Sequence, residues 1–202
     1  MDAAKQNTPI TVGGARLAVA DGLDMAKVVA LMSTPTAFPS MCRIIREDES
    51  SGYMDLTPPQ VPLCNAYDHT NSWVMVDKYR QAKISTIAVM LLLRDCMYLE
   101  GVKGLLVAER HDTAEDVFER ILYAYHMLPD DVKMPMAQGR KAATTQIHFV
   151  HGGSIKILTT GGQSPGIGRS VDRMVITEFG ESKWQRKAAI NIFPSMNKRP
   201  NA

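Results

Sequence analysis

Trp73-Val74-Met75-Val76-Asp77, then Lys78-Tyr79-Arg80-Gln81-Ala82-Lys83-Ile84-Ser85-Thr86, then the apolar run over residues 87–93, decides how this sequence is read. Its first four residues are short, β-rich and bounded by polar neighbours, which predicts a buried strand. Residues 87–98 are apolar almost all round, as a buried helix is. A strand, a polar loop and a helix in that order open a parallel α/β sheet, and the chain goes on to repeat the alternation. Gly104-Leu105-Leu106-Val107-Ala108 predicts the next strand. Residues 113–128 predict an amphipathic helix, with Val117, Phe118, Ile121, Leu122, Tyr125 and Leu128 at three- and four-residue spacing. Thr113 and Asp116 fit a capping box, and Pro129 stops the helix. Residues 146–150 and 155–158 flank His151-Gly152-Gly153-Ser154 and predict a β-hairpin. A glycine-rich loop over residues 161–169 precedes a last buried strand, Met174-Val175-Ile176-Thr177.

Upstream of the first strand the pattern is different. Gly13-Gly14, Pro35, Pro39 and the polar stretch Glu47-Asp48-Glu49-Ser50-Ser51-Gly52 punctuate the first fifty residues and predict short helices and loops rather than strands. One helix is expected over residues 18–32. The chain therefore divides into an N-terminal helical and loop segment, residues 1–55, and an α/β domain, residues 56–202.

With 45% apolar and 22% charged residues over 202, the chain has the composition of a folded domain, not of a disordered, collagenous or disulfide-built one. Its seven-residue apolar run is far below the roughly 20 residues that cross a bilayer as a helix. Met1-Asp2-Ala3-Ala4-Lys5 lacks the order of a secretion signal, so a cytoplasmic location is expected. Cys42, Cys64 and Cys96 are odd in number and without C-x-x-C spacing, which suits neither a disulfide framework nor a thiolate zinc site. The net charge is +2, but residues 1–70 hold 5 Lys and Arg against 8 Asp and Glu, while residues 71–202 hold 18 against 13. That balance permits a local phosphate-binding face without announcing a nucleic-acid binder by charge. His148 and His151 stand three apart on a predicted strand and point to opposite faces, so they do not form a chelating pair.

The loop over residues 78–86 lies where a phosphate-binding loop lies in such folds. In G-x-x-x-x-G-K-[ST] register the glycine places hold Lys78 and Lys83, the lysine place holds Ile84, and Ser85 alone fits. The physical requirement is broader: backbone N–H groups at a helix start, a cation on the β and γ oxygens, and a hydroxyl on Mg²⁺. Lys78, Arg80 or Lys83 can supply the cation and Ser85 the hydroxyl. Glu178 follows the last strand; at a strand tip in an open α/β sheet a carboxylate sits in the ligand crevice, where it can deprotonate a water in line with a γ-phosphate. A solvated strand-end glutamate is the other reading of the same residue.

Six segments in order carry a family resemblance: Cys42-Arg43-Ile44-Ile45-Arg46; Leu56-Thr57-Pro58-Pro59-Gln60; Lys78-Tyr79-Arg80-Gln81 with Ser85-Thr86; Leu106-Val107-Ala108-Glu109-Arg110 with the helix to Leu128-Pro129; Gly152-Gly153-Ser154-Ile155; and Gly168-Arg169-Ser170 with Ile176-Thr177-Glu178 and Trp184. Over about residues 38–184 the chain resembles the ATPase domain of the large terminase subunit of tailed bacteriophages, the motor that packages double-stranded DNA into a procapsid. The resemblance implies a P-loop NTPase: a central, mainly parallel sheet flanked by helices, with ATP and Mg²⁺ as cofactors. It implies that Gln60 reads adenine, that Lys78, Arg80, Gln81, Ala82, Lys83, Ile84, Ser85 and Thr86 form the nucleotide loop, that Ser85 and Thr177 hold the metal, and that Glu178 activates water. Arg169 is near the place of a finger arginine that reaches a neighbouring subunit's ATP, and is equally read as a structural loop residue; Arg110 and Arg140 are weaker candidates. Implied partners are double-stranded DNA, a portal protein, a small terminase subunit and further copies in a ring, with no membrane, in the host cytoplasm at the procapsid. The family's coupling motif and nuclease domain are expected beyond Ala202. Lys83 departs from the pattern, because the family keeps a glycine there. The other readings are a nucleotide-binding structural module with impaired turnover and a helicase-like DNA translocase.

Overall fold

The computed structural model describes residues 9–46, 48–69, 74–77, 82–108, 110–137, 146–159 and 171–177. In chain order these form β1 (Thr11–Val12), β2 (Ala15–Arg16), α1 (Met25–Ser33), α2 (Ala37–Met41), β3 (Arg43–Ile45), β4 (Ser51–Tyr53), α3 (Gln60–His69), α4 (Ile84–Tyr98), β5 (Lys103–Ala108), α5 (His111–His126), β6 (Gln146–His148), β7 (Ser154–Thr159) and β8 (Arg173–Ile176). The main sheet has four strands in the order β6-β7-β5-β8. Its three inner pairings set β5 parallel to both β7 and β8, while β6 is antiparallel to β7. The protein is thus a mixed α/β fold with a mainly parallel sheet flanked by helices. Among the described residues no helix is long and apolar enough to cross a membrane.

Alternation along the strands sorts the core. Leu106 and Ala108 of β5, Ile155 and Ile157 of β7 and Val175 of β8 join the large cluster that includes α4 and α5, whereas Leu105 and Val107 meet Leu158, Met174 and Ile176 on the opposite face. Helix α4 is the centre of the first cluster, with Ile87, Met90, Leu91, Leu92, Leu93 and Met97 fully buried. Its direction follows from three contacts. Arg173, which opens β8, donates to Asp95 in the C-terminal half of α4 (2.9 Å). A Cβ at Gly104, near the start of β5, would lie 2.9 Å from Leu92, and one at Gly153, just before β7, would meet the Cys96 carbonyl. The helix therefore ends beside the strand beginnings and runs antiparallel to β5, β7 and β8.

The strand and helix pattern from residue 84 onward agrees with the sequence reading in kind and differs at its ends. Helix α5 starts two residues before Thr113: its N-cap is Arg110, and Asp112 accepts the Thr113 N–H (2.8 Å) in place of the expected capping box. It stops at His126, and Leu128 N–H closes on the Tyr125 carbonyl just ahead of Pro129. The N-terminal helix begins at Met25, not residue 18, because the Asp24 carboxylate accepts from the Ala26 and Lys27 N–H groups while Ala18 N–H is taken by the Tyr98 carbonyl. The first fifty residues do contain strands. Gly13 and Gly14 both take positive φ (59° and 83°), so they turn the β1–β2 hairpin, and β3 pairs with β4 around Glu49 (φ 61°).

The largest departure concerns the strand expected over residues 73–76. Val74, Met75 and Val76 are in neither helix nor strand and are exposed by 41%, 85% and 41%. Trp73 lies outside the described residues. β-propensity makes a segment fit a sheet surface but supplies no hydrogen-bonding partner, and residues 74–77 pair with none of the described strands.

Candidate functional site

The turn before α3 is built by Thr57-Pro58-Pro59-Gln60. The prolines suit the first turn of a helix, where no N–H is needed, and Gln60 reaches back so that its Oε1 accepts the Thr57 N–H (2.9 Å). The same amide's Nε2 donates to the Ala82 carbonyl (2.8 Å), and Gln60 is 1% exposed. Gln60 thereby ties the start of α3 to the residue before Lys83. Both ends of the amide have a protein partner, each with hydrogen-bonding capacity left over.

Lys83 is the N-cap of α4 and is left-handed, φ 53° and ψ 20°. This is the conformation in which a glycine costs nothing and a side chain is strained. The first bond of the helix closes from Ile87 N–H to the Lys83 carbonyl (3.2 Å). The N–H groups of Ile84, Ser85 and Thr86 thus have no intrahelical acceptor, and the positive end of a 15-residue helix lies here. Ser85 and Thr86 are partly buried at this end.

Because α4 is antiparallel to the strands, its N-terminus faces their C-terminal tips. From Asp95 back to Ser85 the helix rises about 15 Å, and from Arg173, which holds Asp95, to Thr177 the strand rises about 13 Å. Ser85 and Thr177 therefore reach the same end of the sheet. Thr177 is buried at 7% exposure; its N–H donates to the Val107 carbonyl (3.0 Å) and its hydroxyl to the same oxygen (3.4 Å), a bond that uses the hydroxyl's proton and not its lone pairs. Arg110, just past β5 at this edge, pairs with Asp112 (2.8 Å) and is largely exposed.

Beside the Lys83 turn lies a cleft of about 70 Å³, lined by Gln60, Lys83 and Thr86 on one side. Ile44, Arg46, Tyr53, Met54 and Asp55 of the β3–β4 hairpin form the other. Its volume is well under the roughly 300–1,000 Å³ of sites that enclose a ligand, so it is large enough for only part of one. Arg46, Tyr53 and Asp55 had no reading as site residues in the sequence. The signal was an arginine just before an acidic turn closed by Gly52-Tyr53, visible only once the turn is known to be a hairpin.

At the opposite end of α4 is a buried ion cluster. Asp95 accepts from Arg94 (Nε 3.0 Å, Nη2 2.8 Å) and from Arg173 Nε (2.9 Å), and Arg94 Nη1 donates to Asp68 (3.0 Å). Burial opposes the charge on Arg94, but Asp95 and Asp68 more than offset it and hold the guanidinium above its ordinary range. Tyr67 lies under Arg94 (5.7 Å from the ring centroid), and burial, then the Asp95 charge, push its phenol well up. This end of the sheet is structural: it holds α4 and β8 in register.

Lys78, Arg80, Gln81, Arg140, Arg169 and Glu178 lie outside the described residues. Of the site residues expected and described, Gln60, Lys83 and Thr86 line the cleft, Ala82 is bonded to Gln60, Ile84 is buried as the first residue of α4, and Ser85 and Thr177 reach the same sheet end. Among the described residues no group of three or more His, Cys, Asp and Glu side chains is arranged to hold a metal ion. In comparison with known proteins, no family model matches the chain and no curated protein matches it.

Proposed function

We propose that this chain is a P-loop ATPase domain of the large terminase type, hydrolysing ATP to drive double-stranded DNA into a viral procapsid. The observation that carries the reading is the left-handed Lys83 at the start of α4, at the sheet end where Thr177 follows β8. A left-handed residue opening a buried helix suits a phosphate loop, and the same conformation is one that glycine, which the resembling family keeps at this place, adopts without strain. The N–H groups of Ile84, Ser85 and Thr86, which have no acceptor within the helix, take phosphate oxygens, with Lys78, Arg80 and Lys83 as cations and Gln81 and Ala82 completing the loop. Gln60 holds the loop and reads adenine.

Mg²⁺ fits the hydroxyls of Ser85 and Thr177, since Thr177 uses only its proton on Val107. When bound it neutralises charge on the β and γ oxygens. Glu178 follows Thr177 and takes the proton of the attacking water; the water oxygen joins the γ-phosphorus, and the bond to the β–γ bridging oxygen breaks to release ADP. Arg169 is the arginine proposed to act on a neighbouring subunit's ATP. DNA, a portal protein, a small terminase subunit and a ring of copies, in the host cytoplasm, belong to the same proposal.

Hydrolysis of Mg²⁺-ATP tests it. Glu178→Gln is expected to keep ATP binding and to lower turnover by about 10²-fold or more. Binding without hydrolysis in the unsubstituted protein would instead favour the nucleotide-binding module, and absence of binding would remove the ATPase reading.

A further inference from the structure

The guanidinium of Arg46 lies face-on against Gly52. A Cβ built on Gly52 would stand 2.6, 2.7 and 2.9 Å from Cζ, Nη2 and Nε of Arg46. Three nearly equal distances of that size to three atoms of one small plane are met only by a point above the plane, so one face of the guanidinium covers the glycine. Its edge is held as well: Nη2 donates to the Tyr53 carbonyl (3.4 Å) and to Asp55 (3.2 Å). The backbone is pinned on either side by Arg46 N–H to the Ser50 carbonyl and Glu49 N–H to the Arg46 carbonyl. The side chain is nonetheless 44% exposed and lines the cleft that Gln60 and Lys83 also line.

We propose that Arg46 is a stacking platform for the purine base of the bound nucleotide, and that Gly52 is the seat that holds it flat. The proposal rests on the nucleotide reading above and adds to it the group that selects the base. A planar cation with one face covered offers the other to a flat π system, and bases stack on guanidinium planes. Ile44, Tyr53 and Met54 supply the apolar wall such a ring needs. A phosphate is the poorer occupant, because Asp55 already neutralises the Arg46 edge that a phosphate would use. Stacking uses the face and leaves the Arg46–Asp55 pair in place. A purine covers the guanidinium more fully than a pyrimidine, so selectivity follows from area.

Calorimetric titration of the full 202-residue chain, with Mg²⁺, compares a non-hydrolysable ATP analogue, the matching CTP analogue and inorganic tripolyphosphate. Arg46→Ala, Arg46→Lys and Gly52→Ala are expected each to weaken the ATP analogue about tenfold or more, to narrow its advantage over the CTP analogue, and to leave tripolyphosphate unchanged. Arg46→Lys keeps the charge and loses the plane; Gly52→Ala keeps the arginine and unseats it. Should Gly52→Ala fail to fold by circular dichroism, the exposed Arg46 pair of variants decides. An ATP affinity that survives Arg46→Ala, full rescue by lysine, or equal losses for ATP and tripolyphosphate each overturn the platform while nucleotide binding stands. An unsubstituted protein that binds none of the three ligands overturns both readings.

Discussion

At the scale of the single residue, backbone conformation and burial speak more clearly than residue type. Lys83 carries a left-handed φ that a glycine would adopt without strain, so Lys83→Gly removes a cost of about 1 kcal/mol from the fold. For a chain of this length that is a rise in Tm of about 2–4 °C. Thermal melting checks it, and an unchanged or lower Tm would show that the left-handed turn is not strained. Titration with an ATP analogue reads the ammonium separately: a loss of more than about tenfold assigns the lysine charge to the phosphates. His151 gives a second residue-scale expectation. It stacks on Phe149 (6.1 Å, 6°), accepts the Gly101 N–H at Nδ1 (3.3 Å) and has its Nε2 buried, and burial above all holds its pKa below 6.5. Below pH 6.5 the unfolded chain binds a proton there that the folded chain refuses, so this contribution to stability is present at neutral pH and is lost as pH falls. Urea midpoints of the unsubstituted protein and His151→Gln, followed from about pH 7.5 to 5.5, are expected to converge; parallel curves would show that His151 does not titrate differently on folding.

Helix α4 joins the two ends of the sheet, and its two charged residues are more informative than its apolar ones. The run over residues 87–98 was legible as a buried helix because its apolar residues go all the way round. That same reading should have marked Arg94 and Asp95, since charges in such a helix must find partners. Their partners, Asp68 and Arg173, lie 26 and 78 residues away and could not be seen from spacing. Other elements show the same boundary. The parallel strands were legible through continuous apolar runs, and the β6–β7 hairpin through Gly152-Gly153. The β1–β2 and β3–β4 hairpins were not, because two- and three-residue strands carry no period, although Gly13-Gly14 was available as a turn signal. The Arg46 cleft was out of reach for a related reason: it forms between a hairpin and a helix start about 40 residues apart. From the cluster a stability expectation follows. Asp95→Ala leaves the buried Arg94 with Asp68 as its carboxylate and takes the Asp95 partner from the partly buried Arg173, and is expected to cost about 3 kcal/mol. Glu100→Ala, which breaks an exposed pair with Arg16 (2.8 Å), is expected to cost under about 1 kcal/mol. Chemical denaturation measures both, and similar losses would show that the α4–β8 cluster adds nothing beyond a surface pair.

Over the whole molecule, the sheet separates an end that fixes register from an end where the first N–H groups of α4 have no acceptor within the helix, and α4 spans the distance between them. Bringing Ser85 to the same end of the sheet as Thr177 needs both the antiparallel run of α4 and the Asp95–Arg173 anchor, so the far ion cluster helps set where the N-terminus of the helix arrives. Residues 74–77 stand at the margin of this plan. Sequence alone makes them the strand that leads into the loop and α4, yet Val74, Met75 and Val76 lie exposed outside the sheet, while the outer edge of β8 has no strand beside it among the described residues. A substitution distinguishes a segment that contributes to the core from one that does not. Met75→Lys in an exposed segment changes stability by no more than about 0.5 kcal/mol, whereas the same charge placed in a packed sheet position costs several kcal/mol. With Met75 85% exposed, the first result is expected from urea denaturation of the 202-residue chain. A loss of several kcal/mol would mean that the segment enters the sheet in solution, as its β-rich sequence predicts, with the open edge of β8 the nearest place for it.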